Sequence, residues 1–141
     1  MINAPNELSY DDISIGQQES FMIKITASMV EKFSNLSGDL NPLHMDNEFA
    51  ESSSFKKRIV HGMLLASFFS QLIGMKLPGK NALYFSQTLN FRSPCYIDDK
   101  IEIIGEVIEK SDSTKIITIS TSIFNKSKTC LIDGIAKIIV K

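Results

Sequence analysis

His61-Gly-Met-Leu-Leu-Ala-Ser-Phe-Phe-Ser-Gln-Leu-Ile-Gly-Met-Lys-Leu77 is apolar almost all round. Its few small or polar residues, Ser67, Ser70, Gln71 and Gly74, recur at i, i+3, i+4 and i+7, which puts them on one helical face. A helix with so narrow a polar stripe must be buried on most sides. In a chain of 141 residues that burial calls for a sheet wrapped around the helix. Pro78-Gly79 ends the helix. The apolar run from Met63 to Met75 is too short, and too often interrupted, to span a bilayer.

The flanking segments supply the sheet. Residues 17–25 alternate weakly, with Phe21, Ile23 and Ile25 on one side. Residues 82–91, 100–110, 114–124 and 128–140 are rich in β-branched side chains and separated by turn-prone Pro94, Asp98-Asp99, Ser111-Asp-Ser113 and Asn125-Lys-Ser127. Their short connections favour antiparallel pairing. The expectation is an α+β chain, an antiparallel sheet of about five strands around one long central helix. Between the first strand and that helix, Thr26 can cap a short helix with apolar positions Met29, Val30, Phe33 and Leu36. Asp46 can cap another that runs to about Glu51. Residues 8–16 read as an irregular lead-in.

Composition narrows the function. Hydrophobic residues make up 43% and charged residues 22%, ordinary for one globular domain over residues 1–141. The net charge of −1 supplies no field for nucleic acid or an anionic membrane. The segment Met1 to Glu7 lacks a basic stretch followed by an apolar one, so a cytoplasmic protein with reduced Cys95 and Cys130 is expected. Neither cysteine lies in a CxxC pair and the two histidines lack metal-binding helical spacing, so no metal or other cofactor is expected. The run Gly74 to Asn81 imitates a phosphate loop but lacks its Ser/Thr and closes a helix instead of opening one. No Gly-x-Ser-x-Gly elbow is present.

The chemistry concentrates in Phe33-Ser-Asn-Leu-Ser-Gly-Asp-Leu-Asn-Pro-Leu-His44. Gly38 starts a helix break and Pro42 completes it, so Asp39 and His44 are expected on an irregular, constrained loop beside Asn41. A carboxylate can orient an imidazole and tune its proton affinity, and together they can activate one water and return one proton. Either residue alone is more simply a turn cap or a surface histidine. Gly62, at the start of the long helix, offers a backbone N–H where the helix dipole favours negative charge and no side chain blocks a carbonyl oxygen. Its plainer reading is a tight loop-to-helix entry. His61 reads as structural, bonded to loop backbone. Ser70 is a candidate support for the Asp39/His44 pair, with Ser67 and Gln71 weaker ones; the plain alternative is a serine bonded within its own helix. Lys56-Lys57-Arg58 is the one basic run, either a solvated loop or a phosphate grip. Met63, Leu64, Phe68, Phe69 and Met75 read as core before they read as an acyl tunnel.

Ser37-Gly-Asp-Leu-Asn-Pro-Leu-His44, Ala50 and Ile59-Val-His-Gly-Met-Leu-Leu-Ala-Ser67 together resemble the hydratase motif of the MaoC-like family, in particular its short (R)-specific enoyl-CoA hydratases. The resemblance runs from about residue 10 to the C-terminus and includes Leu77-Pro-Gly-Lys80 and Leu89-Asn-Phe-Arg-Ser-Pro94. It implies a hot-dog fold, a homodimer, and an acyl-CoA or acyl-carrier-protein thioester substrate. It matches Asp39 and His44 to the catalytic pair, Gly62 to the N–H that polarises the thioester carbonyl, and Ser70 to a supporting serine. The activity implied is reversible hydration of trans-2-enoyl thioesters to (3R)-3-hydroxyacyl thioesters. A carrier-protein dehydratase, a hot-dog thioesterase and a non-catalytic acyl-thioester binding module are the alternatives.

Overall fold

A computed structural model describes residues 3–141; Met1 and Ile2, the start of the segment read for a leader, lie outside the described residues. The elements are β1 (Gln18–Lys24), α1 (Ala27–Ser37), α2 (Pro42–Met45), α3 (Asn47–Ser52), α4 (Gly62–Gln71), β2 (Ala82–Gln87), β3 (Asn90–Phe91), β4 (Lys100–Ser111), β5 (Ile116–Asn125) and β6 (Cys130–Val140). All strand pairs are antiparallel, in the order β1-β4-β5-β6-β2, with β3 also on β6. This is the expected α+β plan with one more strand than expected. The single strand read over 82–91 is two. After a bulge between Tyr84 and Ser86, Thr88 leaves the ladder and bonds Ile135 through both its backbone N–H and its hydroxyl. The chain re-enters the sheet only at Asn90 and Phe91.

Alternation sets the inner face. Ile101, Ile103 and Val107 of β4 and Ile117, Ile119 and Ile123 of β5 are fully buried, as side-chain period two requires. The helix lies across that face. Leu64, Leu65, Phe69 and Leu72 pack with Ile101, Ile103, Ile123, Leu131 and Ile132. Ile73 and Leu77 pack with Val107, Ile117, Ile119 and Ile138. Each such side chain contributes about 1.5–3 kcal/mol relative to staying in water. Ser67, Ser70, Gln71 and Gly74 are all exposed, so the polar stripe is where the spacing put it. Met63 departs from its core reading, at 57% exposed, because it lies on that same open side.

The helix is not uniform to its end. Residues Leu72–Lys76 wind as a π-turn, and Leu77 N–H donates to Leu72 O at 3.0 Å. Five residues then complete one turn, which returns Leu77 to the side of Leu72. An ordinary helical turn would carry it off the sheet. Both are fully buried.

Thr26 caps α1 by accepting from Met29 N–H. Val30, Phe33 and Ser34 point inward, whereas Leu36 is 86% exposed. Leu36 lies past the inward stripe, in the last turn before Gly38, whose φ of 80° ends α1 in the left-handed region that glycine enters without strain.

Candidate active site

The segment after Gly38 is more regular than expected. Pro42 does not complete a break; it opens the one-turn helix α2 as its first residue, where its missing N–H costs nothing. Asn41 caps that turn by accepting from Leu43 N–H at 3.0 Å. Asp39 is held by its neighbours: its N–H donates to Ser37 Oγ and its Oδ1 accepts from Asn41 N–H, each at 3.2 Å. His44 sits on α2 with its ring largely buried, while the Asp39 carboxylate is half-exposed.

The hydrogen bonds assign the protons. His44 Nδ1 lies 2.8 Å from Ile59 O, and a carbonyl only accepts, so Nδ1 carries the proton. Nε2 is left with its lone pair, 3.9 Å from Asp39 Oδ2. That separation is too long for a direct hydrogen bond. It suits one water oxygen bonded to both atoms at about 2.8 Å, with the two bonds roughly perpendicular. Ile59 is pinned for its part by Ile59 N–H on Leu43 O at 3.2 Å, and Val60 N–H bonds Cys95 O at 2.7 Å.

His61 lies beneath this pair. Its ring stacks on His44 with centroids 3.9 Å apart. Its Nε2 is 3.1 Å from Asp39 O and 3.0 Å from Ser34 Oγ. It therefore bonds loop backbone, as read from the sequence. Ser34, fully buried, donates its own proton to Met45 Sδ at 2.9 Å. Burial holds the His61 imidazole below its usual protonation range, against the pull of the Asp39 carbonyl.

His61 is also the N-cap of α4 and makes no side-chain cap bond. The N–H groups of Gly62 and Met63, ahead of the first helical bonds to His61 O, lack intrahelical acceptors, and Gly62 follows directly on His61, whose ring touches His44 and Asp39 O. At Gly62 the Phe91 side chain takes the space that a Cβ would occupy. A Cβ there would meet Phe91 Cδ1 at 2.5 Å. The Phe91 ring thus lies against Gly62. An apolar pocket of about 360 Å³ adjoins, lined by Phe55, Ile59, Gly62, Leu65, Phe91 and Cys95 among others. That volume is within the range of small-molecule sites.

Asp39, Asn41 and His44 are thus brought together, with Gly62 joined to them through its neighbour His61. Ser70 is not. It is exposed on α4, eight residues beyond Gly62 and about 12 Å along the helix, and no hydrogen bond joins it to Asp39 or His44 among the described residues. The buried serine in the cluster is Ser34. Its spacing from Val30 and Phe33 on the α1 inward face was a usable signal, which reading only the apolar positions passed over. The basic run stays together. Arg58 Nε donates to His44 O at 2.6 Å, and Arg58 also lines a second pocket with the two lysines. Lys56 and Lys57 are exposed, and Tyr96 and Asn47 line the same pocket. Lys57 lies over the Tyr96 ring.

Asp39, His44 and His61 also bring one donor atom each within 4.8 Å of one another. They suit a metal poorly. His61 Nε2–H is committed to Asp39 O, and stacked imidazoles direct their lone pairs side by side instead of converging them on one ion. What the cluster offers is two proton acceptors facing each other next to an uncapped helix N-terminus, an arrangement suited to water addition beside a polarised carbonyl.

Residues 13–127 match the family model described as "MaoC like domain". The chain is 38% identical over 127 residues to an (R)-specific enoyl-CoA hydratase of Aeromonas caviae, covering 90% of this chain and 95% of that one. It is 40% identical over 116 residues to a mitochondrial 3-hydroxyacyl-[acyl-carrier-protein] dehydratase of Arabidopsis thaliana, covering 79% and 68%. An unliganded R-hydratase from Pseudomonas aeruginosa superposes with a TM-score of 0.92 at 32% identity, covering 96% of this chain and 87% of that one.

Proposed function

The chain belongs to the MaoC-like domain family, and on that premise we propose that it is a hydro-lyase that reversibly hydrates trans-2-enoyl-CoA thioesters to (3R)-3-hydroxyacyl-CoA thioesters. The observation that carries the reading is the 3.9 Å gap between His44 Nε2 and Asp39 Oδ2, with His44 stacked on the residue that precedes Gly62 at the start of α4. The thioester oxygen accepts from Gly62 N–H at the positive end of α4. A water held by Asp39 Oδ2 and His44 Nε2 attacks C3. One proton passes from the water to His44 Nε2 as the O–C3 bond forms. The C2=C3 electron pair moves towards C2 and the thioester oxygen, where the helix N-terminus stabilises the charge. The same proton is then returned to C2. Delivery by the group that held the water puts OH and H on one face. Asp39 keeps the water oriented and stabilises the transient imidazolium.

Asn41 supports this chemistry by capping the turn that carries His44. Lys56 and Lys57 are the proposed phosphate contacts of the carrier. Exposed apolar surface supports a homodimer: Met63 on the open side of α4, and Leu83, Phe85 and Phe91 on β2 and β3, are large apolar residues left exposed. That contact is how the exposed Ser70 would reach a catalytic pair. Two free cysteines, Cys95 and Cys130, fit a reducing cytoplasm. No helix among the described residues is long and apolar enough to cross a membrane.

The test is loss of the enoyl-thioester absorbance on mixing with crotonyl-CoA, followed by chiral analysis of the product. Loss with (3R) product is expected. Asp39→Asn and His44→Ala should each lower turnover by about 10²–10⁴-fold while the protein stays folded. Near-native turnover in either would remove that residue from the mechanism. The Arabidopsis relative favours the carrier-protein dehydratase as second reading, and kcat/KM on matched CoA and carrier-protein thioesters separates the two. Release of free thiol would mark a thioesterase instead.

A further inference from the structure

The buried imidazole under the catalytic pair does more than fill space. His61 is 2% exposed, and its Nδ1 has no hydrogen-bond partner among the described residues. Its Nε2 faces two oxygens. Asp39 O is acceptor-only, and Ser34 Oγ already donates to Met45 Sδ, so both accept from one shared Nε2–H. The ring is neutral with its proton on Nε2. A second proton on Nδ1 would be a buried donor with no acceptor, which costs the desolvation of that group. One face of the same ring lies on His44, 3.9 Å between centroids. Phe33 abuts the ring edge-on at 4.9 Å and fixes its tilt. His61 therefore touches both members of the pair by different means, Asp39 through a hydrogen bond to its main chain and His44 through ring stacking.

We infer that His61 is a positioning residue for the pair, its Nε2–H holding the Asp39 main chain and its ring face holding the His44 imidazole. The inference rests on the hydratase reading for its kinetic part only. It separates from a packing role because its two contacts can be removed one at a time. His61→Phe keeps a flat ring under His44 and loses the donor to Asp39 O. His61→Gln places an amide N–H near the Nε2 position and loses the stack.

The experiment has two arms on the full chain. In the first, long-range ¹H–¹⁵N correlation spectra are recorded on the unmodified protein at neutral pH. The chain has only two histidines, so both rings are assignable. One neutral ring with its proton on Nε2, assigned to His61 by the spectrum of His61→Gln or by its through-space contacts to Phe33, is expected. A charged His61, or one protonated on Nδ1, would overturn the inference even if no variant folded. In the second arm, crotonyl-CoA hydration is measured on the folded variants. His61→Phe should lose about a hundredfold in kcat with KM changed less than about twofold, since misplacement of reacting groups by about 1 Å costs that much. His61→Gln should recover at least tenfold of that loss. Wild-type kcat in His61→Phe, or equal losses in both variants that track lost folded fraction, would reduce His61 to packing. If the unmodified protein hydrates no enoyl thioester, the functional reading fails, while the tautomer measurement still decides whether the ring holds Asp39.

Discussion

Gly62→Ala is the sharpest single perturbation of the site. Its Cβ would lie 2.5 and 2.6 Å from two carbons of the Phe91 ring, and ordinary contact begins near 3.4 Å. The shortfall is 3.4 − 2.5 = 0.9 Å, so either the ring or the start of α4 must move by that amount. Phe91 is 55% exposed, so the ring can swing outward. Overpacking costs about 1–3 kcal/mol, and alanine returns about 0.5–1 kcal/mol by its helix preference. The net loss of stability is therefore at most about 2.5 kcal/mol. Activity should suffer more, because the same displacement shifts either the N–H proposed to receive the thioester oxygen or the aromatic wall beside it. Turnover on crotonyl-CoA should fall about a hundredfold, with the urea midpoint only slightly lowered. Adding Phe91→Ala removes the obstruction and should regain at least tenfold of the rate. Wild-type turnover in folded Gly62→Ala would refute the assignment of the carbonyl to this N–H.

Arg58→Met keeps an apolar stem but removes the donor to His44 O, so stability should fall by about 1 kcal/mol in urea titration and kcat should fall with it. A change in KM alone would instead limit Arg58 to phosphate binding. His61 has its folded-state proton affinity lowered by burial, with neighbouring His44 and Arg58 adding to that effect and the Asp39 carbonyl and carboxylate opposing it. A base with a depressed folded pKa contributes stability that is present above its unfolded value of 6.5 and lost as pH falls below it. The stability curve should therefore drop on the acid side of that value, and His61→Gln should flatten the drop. Burial, reinforced by Asp99, pushes the Cys95 thiol up to about 12. Iodoacetamide at mildly alkaline pH should leave Cys95 unmodified in the native protein and reach it only on unfolding, as read by peptide mass analysis.

The plan of the fold was legible because it depends on periodicity. The polar stripe of residues 61–77 and the alternation within 100–110 and 114–124 each follow from which side of one element meets water. They carry over to the exposed face of α4 and to the buried isoleucines of β4 and β5. The helix caps at Thr26 and Asp46 were legible for the same local reason. The break at Thr88 and the π-turn at Leu72–Lys76 were not, since each answers to a partner distant in sequence: Ile135 for the first, the sheet under Leu77 for the second.

In the site, residue identity and loop chemistry were enough to single out Asp39, His44 and Gly62 as candidates, because the Gly-Asp-Leu-Asn-Pro run from Gly38 to Pro42 and a glycine at a helix start have strong local geometry. What needed the tertiary structure was every role that depends on whom a side chain meets. Arg58 acquired a contact to His44 O that no local pattern announces, and Ser70 was left on the open side of α4 while Ser34 occupied the buried position. The protons of His44 and His61 were also beyond the sequence. They are set by Ile59 O and Asp39 O, carbonyls 15 and 22 residues away, and a carbonyl can only accept. Local sequence chooses a group and its backbone; the proton it carries and the direction it points are chosen by the chain that folds back against it.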